Sequence, residues 1–414
     1  MRVCVVGSGG REHALVHVLA RDAEVVCTPG NPGIPGSIDT PPEDIDADLF
    51  VIGPEAPLVA GLADRLRAQG KLVFGPGVDG AQIEGSKAWM KQLLLDAGVP
   101  TARHGTFTEA EPALEFLAEM PEPYVVKTDG LAAGKGVLVT ESLEEAKAAV
   151  RTYLDGTAFG DAGSTVVIEE GLTGPELSVF AVCDGTKAVF VGAAQDFKRI
   201  GDDDEGPNTG GMGAFTPVAA ASPELIDDIM TTMVTPTLDT LRARGIDYRG
   251  TLFAGLMLTP DGPKMLEYNA RFGDPEAEIV LPRLESSLTE LLAQAAAGEI
   301  TQEPEISDDA LVTVICASEG YPVSPRTGDV IEGMAAAAEV DGVEAIYCAG
   351  VAAGDDERLV TSGGRVLAVT GRGPDVTSAR AVAYDAVDAI DWPGKTFRTD
   401  IAATAAADEG AVVR

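Results

Sequence analysis

Residues 2 to 75 alternate short apolar runs with amphipathic ones, and that rhythm constrains the fold more than any other feature of the chain. RVCVVG, a helix from about Glu12 to Arg21, EVVCT, DLFVIG, a helix from about Leu58 to Gln69, and KLVFG follow in order. Strands alternating with helices at this spacing build a parallel, doubly wound sheet, and ligands of such sheets bind at the carboxyl edge of the strands. Three loops fall at that edge: Gly7 to Glu12, PGNPG at 29 to 33, and GPEAPL at 53 to 58. The first invites a dinucleotide reading, but Glu12 stands where GxGxxG needs its third glycine, so the fingerprint fails. What survives is a glycine turn opening a helix, whose amides and positive dipole end suit a phosphate, with Arg11 adding charge. A ligand-free strand-to-helix turn fits the same residues. His13 and His17 stand at i and i+4, yet HALVH lacks the HExxH glutamate, and a structural role is favoured.

At 414 residues the chain has room for two to four domains. Its formal charge of −36, from 66 acidic and 30 basic residues, speaks against nucleic acid or an anionic membrane as partner. The acids are spread along the chain, as in a protein kept soluble in a salty cytoplasm where counterions screen self-repulsion. No apolar run reaches the roughly 18 residues of a membrane helix, and the N-terminal run turns into glycine, arginine and glutamate instead of a signal-peptide core, so a cytoplasmic protein is expected. Cys4, Cys27, Cys183, Cys316 and Cys348 lie in apolar runs without any CxxC and read as buried, reduced thiols.

Downstream the polar residues gather. EGSKAWMKQLLLDAGVP carries Lys87 on a helix that stops at Gly98 and Pro100. YVVKTDGLAAGKGVLVT sets two strands around a glycine loop that fails as a Walker A motif: three residues separate its glycines where four are needed, and Gly136 follows Lys135 where Ser or Thr is required. It reads as a hairpin flap, with Lys127 on its floor strand and Lys135 in the lid, able to close over phosphates. A flexible hairpin with surface lysines fits Lys135 better than Lys127, because an unpaired charge inside an apolar run is costly. In VVIEEGLTGPELSVF, Glu169, the backbone as far as Leu172, and Glu176 can meet an adenine edge and ribose hydroxyls, although acids at strand ends are usually solvated. Residues 195 to 215, QDFKRIGDDDEGPNTGGMGAF, form a glycine-studded loop whose length is usual for functional or disordered loops. In MLEYNARFGDPEAE, Glu267 and Asn269 share one strand face, a carboxylate and an amide oxygen suited to a hard cation. Arg271 suits an anion, and Asp274 follows. Beyond about Gly298 a small α/β unit reads as support, and the last AATAAADEGAVVR as frayed.

GSGGREHAL, GPEAPLVAGLAD, EGSKAWMK, KTDGLAAGKGV, QDFKRIGDDDEGPNTGGMGAF, LEYNARFGDPE and YPVSPRTGDVIEG in this order resemble the phosphoribosylamine–glycine ligase family of the ATP-grasp superfamily, along nearly the whole chain. The resemblance implies an α/β and α+β multidomain fold: an N-terminal doubly wound, Rossmann-like parallel sheet (the pre-ATP-grasp domain, 1–90), a two-lobed ATP-grasp domain (91–300, flap about 107–173) and a small C-terminal α/β domain (301–400). It implies ATP, Mg²⁺ or Mn²⁺, glycine and 5-phosphoribosylamine as the small molecules handled, and a chain acting as a monomer. Lys87, Lys127, Lys135, Glu169, Leu172 and Glu176 would then hold the nucleotide, and Glu267 and Asn269 the metal. Arg271, Asp196 and Asp274 would serve catalysis, with Gly273 beside them, while Gly9, Gly10, Asn31 and Glu55 would hold the phosphoribosylamine. Ser8 stands where asparagine is common in the family, Phe197 where histidine is frequent, and Trp89 and Tyr268 where phenylalanine is usual. Phe197 leaves no polar role at its position, and GTLFAGLML offers the metal no third carboxylate. A non-catalytic nucleotide-binding regulator and an ATP-grasp ligase for other substrates stay open, and a nicotinamide oxidoreductase fits least.

Overall fold

The structure, a computed structural model, describes residues 1–130, 136–156, 164–355 and 357–412. The opening alternation forms four parallel strands in the order Glu24–Pro29, Arg2–Gly7, Leu49–Ile52 and Leu72–Phe74. Val3 to Val6 are buried in its second strand, as a parallel sheet covered on both faces requires. The helix Gly10–Leu19 crosses from the strand Arg2–Gly7 to the strand Glu24–Pro29. The single helix expected from Leu58 to Gln69 is two, Glu55–Val59 and Leu62–Ala68, because Gly61 at φ +75° interrupts the helical backbone.

Residues 104 to 170 fold into a separate small lobe. Its four strands run in the order His104–Phe107, Val166–Glu170, Tyr124–Thr128 and Val137–Thr140, all antiparallel. The helices Ala110–Ala118 and Leu143–Leu154 close a core of Ala113, Leu117, Val126, Val150 and Ile168 that belongs to this lobe alone.

The largest sheet has eight strands in the order Gly262–Asn269, Arg249–Thr259, Glu176–Asp184, Ala188–Asp196, Gly213–Thr216, Ala310–Ala317, Arg365–Gly373 and Val343–Cys348. Gln195 pairs with Phe215 and Asp196 with Ala214, so the long polar loop leaves the sheet and returns to it at one point. Gly213–Thr216 also pairs with Ala310–Ala317, and through it the strands beyond residue 300 continue the same sheet. The helix Val376–Ala389 covers them through Ala379, Ala383, Ala386 and Val387.

The expectation of a frayed end is corrected. Residues Ala403–Val412 are helical, and the Glu409 carboxylate accepts the amides of Val376 (3.3 Å) and Thr377 (3.1 Å), two donors at a helix start that have no intrahelical acceptor. All five cysteines are free and buried, as the sequence indicated. Among the described residues no helix is long and apolar enough to cross a membrane.

Candidate active site

Glu267 and Asn269 do share a face of the strand Gly262–Asn269, which pairs with Arg249–Thr259 through Gly255 opposite Glu267. Among the described residues Glu267 makes no hydrogen bond or ion pair, yet four cations surround it. Burial works against its charge, but Lys127, Lys198, Lys87 and Arg271 outweigh burial and hold its pKa below the usual carboxylate value. A charged, uncommitted carboxylate next to an amide oxygen is an oxygen donor set that fits a hard divalent cation keeping waters or phosphate oxygens as its other ligands. Among the described residues no cluster of three or more acidic, histidine or cysteine side chains offers a fuller cage.

The three lysines come from a helix, a strand of the small lobe and the long loop after Asp196. Ser86 caps the helix Lys87–Ala97, accepting the Trp89 amide at 3.0 Å, and so puts Lys87 in the first turn. The Lys87 ammonium donates to the Gly130 carbonyl at 3.0 Å, at the mouth of the glycine loop. Burial, opposed by Glu267 and reinforced by Lys127, draws its pKa down. Lys127 lies on the floor strand of the small lobe, as expected, and its partner is Glu169 on the neighbouring strand, 2.8 Å away. Lys135, expected in the lid, lies outside the described residues.

Glu169 differs from its expectation. Its side chain is 2% exposed and lies between two lysines, with Lys91 Nζ at 2.8 Å from the second oxygen. The Lys127 contact is a close ion pair but off the line of a hydrogen bond. Burial raises its pKa, while Lys127 and Lys91 together bring it down to about 2. In this state the carboxylate serves its lysines, and no free oxygen faces an adenine. Glu176, at the start of the next strand, pairs with Lys198 from the long loop. Leu172 sits half-buried in the coil between the strands Val166–Glu170 and Glu176–Asp184.

Arg271 gathers the acids of the N-terminal sheet. It meets Glu84 at 2.8 Å, Glu55 at 3.4 Å and the Asn269 side-chain oxygen at 3.3 Å, while Glu84 also accepts the Ala270 amide at 2.8 Å. Glu55, expected at the amine substrate, thus stands beside the arginine expected at the phosphoryl group. Asp196 lies 3.9 Å from Lys198. Glu276, which the sequence reading passed over, is buried with its carboxyl pushed up to about 7, first by burial and then by the charge of Asp196. Gly273 packs flush against the Glu276 carboxyl, where a methyl group would collide.

The glycine turn departs from expectation more sharply. The amides of Ser8 and Gly9, offered above to a phosphate, donate to Glu12 at 3.1 and 2.6 Å, and Arg11 Nε pairs with the other Glu12 oxygen at 2.7 Å. Glu12 does more than break a dinucleotide motif: it occupies the anion position of that turn. Asn31 is likewise committed, donating to the carbonyls of Ser8 (2.9 Å), Cys348 (3.0 Å) and Ala349 (3.1 Å). Gly10 lies against the buried Glu278 carboxyl. His13 accepts the Cys348 amide at 2.8 Å and His17 meets Glu344 at 3.2 Å, both packing edge-on against Tyr347, which gives the pair the structural role. Asp274 is gripped by Arg365, from a strand beyond residue 300, at 2.9 Å.

Models of the Phosphoribosylglycinamide synthetase N domain, ATP-grasp (A) domain and C domain match residues 1–84, 85–277 and 311–404 in series. A phosphoribosylamine–glycine ligase of Brucella melitensis is 45% identical, covering 97% of this chain and 97% of that one. The chain belongs to the phosphoribosylamine–glycine ligase family. Another relative of that name, from Streptomyces coelicolor, is 46% identical over 98% of this chain and 100% of its own. The crystal structure of the Thermotoga maritima phosphoribosylamine–glycine ligase superposes with a TM-score of 0.87 at 35% identity, covering 97% of this chain and all of that one. The geometry adds residues that the motifs contained but sequence reasoning did not single out. Glu84 sits in EGSK, Lys91 stands one helical turn after Lys87, Lys198 follows Phe197 in the long loop, and Glu276 is the second acid of GDPE. Arg365 had no such signal, since nothing local to GGRVLAV indicates a partner 91 residues upstream.

Proposed function

We propose that this chain joins glycine to 5-phosphoribosylamine at the expense of ATP, forming glycinamide ribonucleotide, ADP and phosphate. The observation that carries the reading is the convergence of Lys87, Lys127, Lys198 and Arg271 on the uncommitted Glu267 carboxylate, in a chain that matches its family from end to end. A glycine carboxylate oxygen attacks the γ-phosphorus and ADP leaves, giving glycyl phosphate. The phosphoribosylamine nitrogen then attacks the acyl carbon, and the tetrahedral adduct expels phosphate while the nitrogen gives up a proton.

Phosphoryl transfer of this kind asks a protein mainly for positioning and for neutralisation of charge. Lys87 and Lys127 meet the nucleotide phosphates, with Lys135 assigned to the lid above them. Glu267 and Asn269 hold a divalent cation, Mg²⁺ or Mn²⁺, which when bound neutralises phosphate charge. Arg271, oriented by Glu84 and Glu55, meets the acyl phosphate beside Gly273. Glu176 and the Leu172 coil border the nucleoside, and Glu169 reaches the adenine edge only if one of its lysines turns away. The side chains of Asp196 and Glu276 are both buried, beside the part-exposed Lys198, a pair able to take up the amine proton. Gly9, Gly10 and Asn31 frame the amine substrate from the loops of the first sheet, and Asp274 faces them from the segment after the strand Gly262–Asn269. The chain works as a monomer in the cytoplasm, without nucleic acid or membrane.

ADP release from the purified protein should require both glycine and 5-phosphoribosylamine, and replacing glycine with alanine or formate should stop it. ATP binding with no turnover under these conditions would refute the ligase reading.

A further inference from the structure

Arg365 opens the strand Arg365–Gly373, far from every motif of the nucleotide site, yet its guanidinium reaches two loops of that site at once. Nη2 pairs with Asp274 Oδ1 at 2.9 Å, while Nη1 donates to the Asp274 carbonyl at 2.8 Å and to the Gly210 carbonyl at 2.6 Å, with the Gly211 carbonyl at 3.4 Å. The fit is tight: a methyl group on Gly210 would stand 2.9 Å from the guanidinium carbon, and one on Gly211 would stand 2.5 Å from Pro275. Tyr321 completes the grip, its hydroxyl accepting the Gly210 amide at 3.0 Å while its ring lies against Gly364. Gly210 is thus explained by the close approach of Arg365 from beyond residue 300, and Gly211 by Pro275 and by its own φ of +109°.

The direction of the grip matters more than its strength. With Oδ1 held by Arg365, the other Asp274 oxygen turns toward the glycine turn, 3.6 Å from where a methyl group on Gly9 would be. That turn is where the amine substrate is assigned, whereas Lys127 of the nucleotide site comes from the small lobe of residues 104 to 170. We propose that Arg365, with Tyr321, is a positioning residue for the amine half-reaction: it seats the Gly210–Gly211 backbone and aims Asp274 at the phosphoribosylamine nitrogen. The inference rests on the ligase reading above and makes the strands beyond residue 300 a working part of the site. A planar fork is needed, since one ammonium cannot span a carboxylate and two carbonyls in these directions.

The test begins with the wild-type protein, whose glycine- and amine-dependent ADP release checks the ligase reading separately. Arg365→Lys and Arg365→Gln are then expected to lower kcat/KM for 5-phosphoribosylamine about 30- to 100-fold, the cost of misplacing a reacting group by roughly an ångström, while KM for ATP stays within about twofold. Tyr321→Phe, which removes one hydroxyl and keeps the ring, should shift the same parameter in the same direction by about three- to tenfold. Amide exchange across residues 206 to 212, read without substrate, should quicken in each variant. Because Arg365 acts through Asp274, Asp274→Asn added to Arg365→Gln should lower kcat/KM by much less than the product of the two single effects. The proposal fails if Arg365→Lys keeps wild-type kcat/KM for the amine, if the ATP and amine parameters fall in step, or if the Asp274 and Arg365 effects multiply.

Discussion

Replacing Glu169 by glutamine and Lys91 by methionine should have very unequal consequences. Glu169 holds Lys91 and Lys127 in a nearly dry site, and its pKa of about 2 against an ordinary 4.5 is worth about 3 kcal/mol to the folded state at neutral pH. Lys91 shows the other side of this balance, since burial draws its pKa from 10.5 to about 8 despite Glu169, a cost of about 3 kcal/mol at neutral pH. The two terms nearly cancel, as is common for buried ion pairs. Removing the carboxylate strands two buried ammonium groups and should cost about 3–5 kcal/mol. Removing Lys91 leaves Glu169 its Lys127 partner and Thr101 its bond to the Met265 carbonyl (2.6 Å), so Lys91→Met should lie within about 1 kcal/mol of wild type. About 2.1 cal/mol/K per residue over 414 residues gives an unfolding entropy of roughly 0.9 kcal/mol/K, so Glu169→Gln should lower Tm by about 3–6 °C and Lys91→Met by about 1 °C or less. Because the folded pKa of Glu169 is depressed, its contribution is complete above about pH 4.5 and is lost as pH falls toward about 2. Calorimetric scans of the three proteins from pH 7 to pH 3 should show the gap between wild type and Glu169→Gln closing over the acid part of that range. Equal Tm losses for the two variants, or a gap independent of pH, would refute the account.

Glu267→Ala should cut ATP turnover by at least about 100-fold while circular dichroism and Tm hold, and near-normal ADP release at saturating Mg²⁺ would remove Glu267 from the metal site. His13 is held neutral with its pKa lowered to about 4, chiefly by burial and then by His17, and protonating Nδ1 breaks its bond from the Cys348 amide. Stability should therefore be intact above about pH 6.5 and fall by up to about 3 kcal/mol toward pH 4, and His13→Gln should flatten that slope in urea titrations. The charge of −36 predicts a Tm that rises from low salt to molar KCl, and a salt-independent midpoint would discard the idea of adaptation to a salty cytoplasm.

The strand-and-helix rhythm announced the first sheet because a parallel sheet writes its burial directly into consecutive valines such as Val3, Val5 and Val6. Lys127 was legible for a related reason, since a lysine inside an apolar run demands a buried partner. The partner's second lysine was not, because Lys91 reads locally as one more polar residue on a half-exposed helix. The Ser8 and Gly9 amides misled in the opposite direction: a helix start with glycines signals an anion, and that anion proved to be Glu12 of the same helix. Phe197 left no role in the sequence. In the fold its ring lies 4.9 Å beneath the Arg398 guanidinium, which pairs with Asp204 and Asp400 and so ties the long loop to the C-terminal segment. Contacts at such separations have no local pattern to betray them.

Glu12 also decides which substitutions its surroundings accept, and in what sequence they become accessible. Gly53 has an ordinary backbone, and what bars a larger residue there is the Glu12 carboxylate, into which a methyl group would run. At Gly9 a methyl group would stand 3.1 Å from the same carboxylate, whereas Gly7, at φ +135°, is held to glycine by its backbone as well. Alanine at position 53 should therefore be harmful beside glutamate and tolerated once position 12 carries serine. The glycine at position 53, which looks like part of the signature of a bound phosphate, is the footprint of one acidic side chain, and a lineage has to shorten that side chain before it can fill the position, whereas at position 9 the carboxylate need give only slightly.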